Sequence, residues 1–313
     1  MENISFIIPL YNAEKTIAKS IESILAQKYK GKTEIIIIDD KSKDKSIEIV
    51  KKYKKIKLIE NKKNLGLAKS LNKAIKSTKY NLIAIIWCDC VLLNKDWLSN
   101  IVKSIKSKKN IAIATSELEL PKEIWDKYNF WNKVVLSYIY SGKIKDKNKF
   151  FRPSLFKKKI LEKVNYYNQK DFRIAGEDTD LKLRILKKGY KIINSKTKIL
   201  HLHGFYKSTI STHLFEKALP LSEATGVNFR KHGYLGNYWN PITSTIIYFC
   251  LFLPYVKHIA SFLIIIMLIY YTSIVYKYNK DFKIVFVPFF KIAKDIISII
   301  GFWKGYITGK QTF

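Results

Sequence analysis

The sequence runs to 313 residues, of which 48% are hydrophobic and 14% aromatic, and its 57 Lys plus Arg against 25 Asp plus Glu give a net charge of +32. That composition excludes a disordered or collagen-like chain, and three cysteines (Cys88, Cys90, Cys250) exclude a disulfide framework, which points to a reducing compartment for the soluble part. The charge favours anionic partners, whether nucleic acid, acidic phospholipid or phosphorylated small molecules.

The opening Met-Glu-Asn-Ile-Ser-Phe-Ile-Ile-Pro-Leu-Tyr-Asn has no basic region before its apolar run, so Ile4–Ile8 reads as a first strand and not as a secretory signal. Further strand-like runs follow at Glu34–Ile38, Ile56–Ile59, Leu82–Trp87 and Ile111–Thr115. Helical patterns lie between them. Ile17, Ile21, Ile24 and Leu25 share one face; Ile47 and Val50 mark a second helix that Ser42 or Asp44 can cap; Leu67, Leu71, Ala74 and Ile75 mark a third. This alternation predicts an α/β fold, a mostly parallel sheet with helices on both faces. In such sheets ligands bind beyond the carboxyl ends of the strands.

Acidic residues recur there. Asp39 and Asp40 end the second strand, and Asp89 follows the fourth, flanked by Cys88 and Cys90. A strand-end Asp is common as a turn or cap residue. Asp89 is also a hard oxygen ligand suited to Mg²⁺ or Mn²⁺ with phosphate oxygens completing the shell. Cys-x-Cys alone lacks the partners of a zinc site, so both cysteines read as small buried residues. A second cluster, Gly176-Glu177-Asp178-Thr179-Asp180-Leu181, opens a helix that Gly189 closes. Acids suit the first turn of a helix. A carboxylate fixed there can equally take a proton from a hydroxyl nucleophile. His201 and His203 fall on one face of an extended segment, as metal ligands or as buried hydrogen-bonding residues.

Three segments in order, residues 6–12 (Phe-Ile-Ile-Pro-Leu-Tyr-Asn), 37–44 (Ile-Ile-Asp-Asp-Lys-Ser-Lys-Asp) and 64–72 (Asn-Leu-Gly-Leu-Ala-Lys-Ser-Leu-Asn), followed by 176–181 and His201, resemble the family 2 glycosyltransferases over about residues 3–210. The resemblance implies a GT-A nucleotide-diphospho-sugar transferase fold and an inverting mechanism. It implies that Pro9, Leu10 and Tyr11 line the donor base, that Asp39, Asp40 and Lys69 belong to the donor site, and that Asp40 hydrogen-bonds the base or ribose. Asp89 would bind a divalent cation (Mn²⁺ or Mg²⁺) at the donor diphosphate, with His201 as a further metal or diphosphate ligand. Asp178 would be the general base, with Glu177 positioning it or the acceptor. One position departs from the family pattern: Trp87 stands where the metal motif usually carries its first Asp or Asn.

The C-terminal region differs in composition. Between 240 and 276 the only fully charged residue is Lys257. The apolar runs Ile242–Val256 and Ile259–Tyr276 read as a transmembrane or re-entrant hairpin, with positive charge outside both ends. After Pro288, Lys291, Lys294, Asp295 and Ser298 form a narrow polar stripe, which reads as an interfacial helix. Gly301, Gly305 and Gly309 are spaced for close helix contact.

The expected organisation is therefore a catalytic domain over 1–235, a hairpin over 240–276 and an interfacial helix and tail over 277–313. The boundary falls in the Gly-Tyr-Leu-Gly-Asn-Tyr stretch. The expected protein is a transferase at the cell membrane, its catalytic domain cytoplasmic and its basic surface against an anionic leaflet. Its partners would be a nucleotide-sugar donor and a lipid-linked or glycan acceptor, in polysaccharide biosynthesis. Nucleic acid is not expected, because the lysine runs accompany no helix-turn-helix, zinc or RNA-recognition motif. The alternatives are a polyprenyl-phosphate sugar synthase and a catalytically silent scaffold, the latter kept open by Trp87.

Overall fold

The computed structural model describes residues 1–119, 122–140, 153–202, 208–233 and 241–312. Expectations that rest on His203, or on most of the boundary stretch after Gly233, lie outside the described residues. The chain divides into two compact units, Met1–Pro121 with Lys147–Gly204, and Lys122–Asp146 with Phe205–Phe313.

In chain order the first unit begins β1 (Ile4–Leu10), α1 (Ile17–Leu25), β2 (Thr33–Asp39), α2 (Ser46–Lys51), β3 (Ile56–Glu60) and α3 (Leu67–Lys76). It continues β4 (Leu82–Ile85), β5 (Cys90–Leu92), α4 (Trp97–Lys106) and β6 (Ile111–Glu119). The second unit then contributes α5 (Lys122–Asp126) and α6 (Phe130–Tyr140). The first unit resumes with β7 (Ser154–Lys157), α7 (Lys158–Lys163), α8 (Glu177–Lys187) and β8 (Lys191–His201). The second unit closes with a π-helical turn (Thr212–Ala218), α9 (Leu219–His232), α10 (Pro241–Cys250), α11 (Lys257–Tyr278), a 3₁₀ turn (Phe282–Phe286) and α12 (Val287–Thr308).

The first unit is one eight-stranded sheet in the order β3-β2-β1-β4-β7-β6-β8-β5. β1 pairs in parallel with β2 and β4, β2 with β3, and β6 with β8; the pairings made by β7 and β5 are antiparallel. Strand alternation divides the core. Ile4, Phe6, Ile8 and Leu10 of β1 face α1, α2 and α4 on one side of the sheet, and Ile7 faces α3, α7 and α8 on the other. The fourth strand is shorter than its apolar run: it ends at Ile85, and residues 88 and 89 turn directly into β5. Asp89 therefore sits on a tight turn rather than at a strand end.

The second unit is helical, with Phe130, Val134, Leu214, Tyr271, Val275, Val287 and Phe290 in a common core. Two expectations change here. The run Ile242–Val256 does not form a spanning helix: α10 is 10 residues long, about 15 Å at 1.5 Å per residue, and turns follow it. α11, with 22 residues and a mean hydropathy of 2.2, is long and apolar enough to cross a membrane. The polar stripe of α12 does not face water either. Lys291 and Asp295 are buried and paired with each other, Tyr248 donates to Asp295 Oδ2, and the Lys291 ammonium lies over the Tyr271 ring. Large apolar residues of the same helix, Phe289, Ile296, Ile300 and Ile307, are the exposed ones. The glycine spacing behaves as read: Gly301 and Gly305 pack on the backbone of α9, and Gly226 of α9 on that of α12. A β-carbon on Gly305 would lie 1.9 Å from the Glu223 carbonyl oxygen.

Candidate functional site

The loops after β1 and β2 lock together. Asn12 donates its backbone N–H to Ser42 Oγ, and its side-chain oxygen accepts from Lys43 N. Asp44 accepts from the backbone N–H groups of Glu14 and of Ser46, the first residue of α2, from just before Lys45 at the N-cap. Ser42 serves the neighbouring loop instead. Asp39 is buried, and its carboxylate accepts from Lys41 N and Ser42 N, tying its own turn.

Asp40 is more fully occupied. Oδ1 accepts from Leu65 N (2.8 Å), Asn61 Nδ2 and Ser70 Oγ (3.0 Å each), and Oδ2 from Gly66 N (2.9 Å). This carboxylate, 7% exposed, is committed to the loop between β3 and α3. Oδ1 is filled by its three donors, whereas Oδ2 accepts from Gly66 N alone among the described residues. Gly66 has φ +83°, and a β-carbon there would lie 2.8 Å from the Arg173 carbonyl oxygen. Asn72 of α3 exchanges two hydrogen bonds with the Tyr167 backbone. The Asp40 loop and α3 are thereby packed against the segment that leads into α8.

Gly176, at φ +86°, turns that segment into α8, and the first turn presents Glu177, Asp178 and Asp180, all buried. Asp180 is neutralised by Arg184 at 2.7 Å, and Arg184 also donates to the Tyr166 carbonyl. Asp178 is 4% exposed. Its Oδ1 accepts from Thr179 N at 2.7 Å, while Oδ2 has no hydrogen-bond partner among the described residues. Burial pushes the Asp178 carboxyl up to about 7, against the lowering effect of the Thr179 N–H and Lys182. Burial, and then Asp178 itself, push Glu177 well above the ordinary carboxylate range. The buried Tyr167 phenol is raised by burial first and then by these two acids.

Asp89 and His201 form a separate pair in the first unit. His201 Nε2 lies 2.9 Å from Asp89 Oδ2, with both side chains about four-fifths buried. The pairing of β5 with β8 brings them together across 112 residues of sequence: Leu202 N donates to the Asp89 carbonyl, and Cys90 stands opposite His201 in the ladder. One carboxylate and one imidazole nitrogen suit a Mn²⁺ or Mg²⁺ whose remaining ligands are phosphate and water oxygens, so the residues fit a cation at this place. Trp87 packs against the core of the first unit, and its carbonyl accepts from Ser20 Oγ.

Among the other expected donor residues, Tyr11 is 49% exposed at the end of β1, whereas Pro9 and Leu10 are buried within the strand. Lys69 is exposed on the first turn of α3. Sequence reading missed Asn61, Ser70, Asn72 and Tyr167. Asn61 lies just before the 64–72 segment, Ser70 falls within it and Asn72 ends it, so their roles could have been suspected, but their partners lie on other elements.

A family model described as "Glycosyl transferase family 2" matches residues 5–164. An uncharacterized glycosyltransferase of Methanocaldococcus jannaschii is 31% identical over 202 residues, 60% of this chain and 66% of the relative. A putative glycosyltransferase, EpsE, of Bacillus subtilis is 45% identical over 86 residues, 26% of this chain and 31% of the relative. The chain thus spans about one third to two thirds of the length of these relatives. A Methanococcus voltae protein named as a dolichyl N-acetyl-α-D-glucosaminyl phosphate 3-β-D-2,3-diacetamido-2,3-dideoxy-β-D-glucuronosyltransferase is 24% identical over the full length of both chains. Among solved structures, a mannosyltransferase from Pyrobaculum calidifontis in complex with GDP-Man and Mn²⁺ superposes with a TM-score of 0.62 at 18% identity, over 95% of this chain and 86% of its own.

Proposed function

The chain belongs to glycosyltransferase family 2 and has its GT-A fold, and on that premise we propose that it is a membrane-bound inverting enzyme moving a sugar from a nucleotide-diphosphate donor to a hydroxyl of a lipid-linked glycan. The observation that carries the proposal is Asp178, a carboxyl sealed at a helix N-terminus, raised to about 7, with one oxygen left without a donor. A group poised near neutrality can take the proton of an acceptor hydroxyl, and the alkoxide then attacks the anomeric carbon from the face opposite the diphosphate. Glu177, buried beside Asp178 and raised with it, positions the base or the acceptor. Asp89 and His201 would hold Mn²⁺ or Mg²⁺, which supplies neutralisation of the charge developing on the leaving diphosphate. Tyr11 lines the donor base and Lys69 adds positive charge beside the diphosphate. Pro9 and Leu10 shape that base-lining strand end with Tyr11, Asp39 ties the adjoining turn, and Asp40 Oδ2, with one donor of its own, hydrogen-bonds the base or ribose.

Support for the membrane begins with the second unit. α11 is about 33 Å long, enough for a ~30 Å hydrocarbon core. Phe249, Phe252, Ile259, Phe262, Ile269 and Phe289 are all more than half exposed, a surface suited to lipid and not to water. The net charge of +32 favours the anionic cytoplasmic leaflet, and we place the catalytic unit on that side. The name of the full-length Methanococcus voltae relative, which acts on a dolichyl-linked sugar phosphate, supports a lipid-linked acceptor.

The test is a nucleotide-sugar panel with the full chain in detergent, with and without Mn²⁺, reading nucleoside diphosphate release and the anomeric configuration of the product. Release that requires acceptor and cation, with inversion, is expected. Retention at the anomeric centre, or no donor binding by any nucleotide sugar, refutes the reading.

A further inference from the structure

The register of β5 against β8 sets Cys90 directly opposite His201. Directly opposed residues share a face of the ladder, with β-carbons about 4.5–5.5 Å apart. The turn before β5 brings Asp89 to the same place, so one carboxylate stands between a thiol and an imidazole. Cys90 Sγ is 3.9 Å from Asp89 Oδ1, and His201 Nε2 is 2.9 Å from Asp89 Oδ2. A carboxylate oxygen, the sulfur and the imidazole nitrogen all lie within 4.8 Å of one another.

We propose that Cys90 is a third, sulfur ligand of the cation site, which makes this centre accept thiophilic divalent ions such as Zn²⁺, Cd²⁺ and Co²⁺ as well as Mn²⁺ or Mg²⁺. The inference rests on the proposed cation role of Asp89 and His201, and it assigns Cys90 a function beyond filling the core. Tetrahedral zinc with bonds of 2.0–2.3 Å places its ligands about 3.6 Å apart, so the three groups need only small side-chain rotations to converge. The coordination balances simply: Sγ binds as thiolate, and its proton leaves to water. A carboxylate and imidazole alone favour no soft ion strongly, whereas an added thiolate does. Fixing Cys90 and His201 on paired strands also presets their separation, which a flexible loop would not do.

The probe is Co²⁺ alone, titrated into the full-length, nucleotide-free chain in detergent. A thiolate-to-cobalt charge-transfer band in the near ultraviolet, saturating at one cobalt per chain, is expected. Cys90→Ser removes that band and weakens Cd²⁺ binding by at least about tenfold, the lower end of what even an outer-shell loss costs. Mn²⁺ binding, which does not depend on sulfur, survives in Cys90→Ser and reports that the site is still folded. The band persists when Cys88 and Cys250 are both changed to Ser. Cobalt bound without a sulfur band overturns the assignment while leaving the Asp89–His201 site standing. A band that outlives Cys90→Ser also overturns it, as does loss of Mn²⁺ together with the band in both Cys90→Ser and Cys90→Ala, which marks a structural role. A chain that binds none of these ions defeats the cation site itself, and this inference with it.

Discussion

Changing Asp178 to Asn should cost turnover and add stability, and the two effects have separate magnitudes. General-base catalysis contributes about 10²–10⁴-fold, so turnover should fall by that factor, roughly 3–5 kcal/mol of barrier, with donor binding retained. In the fold the Asp178 carboxyl keeps its proton up to about pH 7, while its ordinary value is 3.8. A group raised in this way contributes stability that is complete below about pH 4 and is lost as pH climbs to about 7. Three pH units at about 1.4 kcal/mol each set an upper bound near 4 kcal/mol. Glu177 shares the site and titrates with Asp178 as a pair, which holds the observed value below that bound. The Asn variant carries no such slope. Thermal melts of both proteins from pH 4 to pH 8 should nearly coincide at the acid end and separate at the alkaline end by less than a ceiling of about 8–16 °C, at 2–4 °C per kcal/mol. Activity of the unsubstituted enzyme should rise through about pH 7 as the base ionises. Near-normal turnover of the variant, or a melting difference that does not grow with pH, refutes the base assignment.

Asp40→Asn replaces an acceptor oxygen by an amide nitrogen facing backbone donors. It should cost about 1–3 kcal/mol and weaken donor binding, read by melting and by calorimetry with nucleoside diphosphates. Gly305→Ala forces α9 and α12 apart at the Glu223 carbonyl; overpacking of this kind costs about 1–3 kcal/mol, and a melt in detergent should show it, whereas Gly233→Ala, which meets nothing nearby, should lose only the smaller amount due to its positive φ. Lys291→Met leaves Asp295 buried without its cation and should cost about 3–5 kcal/mol, while Lys291→Met combined with Asp295→Leu should recover most of that loss in the same melts.

The parallel half of the sheet was legible because each of its strands is a short apolar run followed by a recognisable turn. Glu34–Ile38 lies wholly within β2, and Ile56–Ile59 within β3. β5 was not legible. Three residues carry no period, and Cys90–Leu92 becomes a strand only because β8, more than a hundred residues later, supplies its partner. The same reason hid Cys90: its neighbour His201 is set by register and not by spacing. In α12 the stripe of Lys291 and Asp295 was legible as a stripe but not as an interior one. Amphipathic patterning shows that two faces differ; which one packs inward is decided by the neighbouring helices, here Tyr248 and Tyr271 beside the ion pair.

The acidic residues of the catalytic unit divide by environment, and the division is itself an argument for the proposed chemistry. Asp39 and Asp40 receive hydrogen bonds from several donors, which stabilises their ionised forms and makes them poor proton acceptors. Asp180 is discharged by Arg184. Asp89 is only partly enclosed and shares one oxygen with an imidazole, an arrangement a cation can enter. Among the described acids of this unit, Glu177 and Asp178 are the pair sealed in and under-supplied with donors, so burial raises both, and Asp178 raises Glu177 further. Folding stability gains nothing from such a pair at neutral pH; an Asn and a Gln in their places would be easier to bury. Carboxyl groups whose surroundings push them toward neutrality, beside others kept ionised, are how one site separates a proton acceptor from a charge-binding group. Tying Asp40 to Gly66, and Gly66 to the Arg173 backbone, holds the costly segment in place: the satisfied carboxylates stabilise the conformation in which the unsatisfied ones can work.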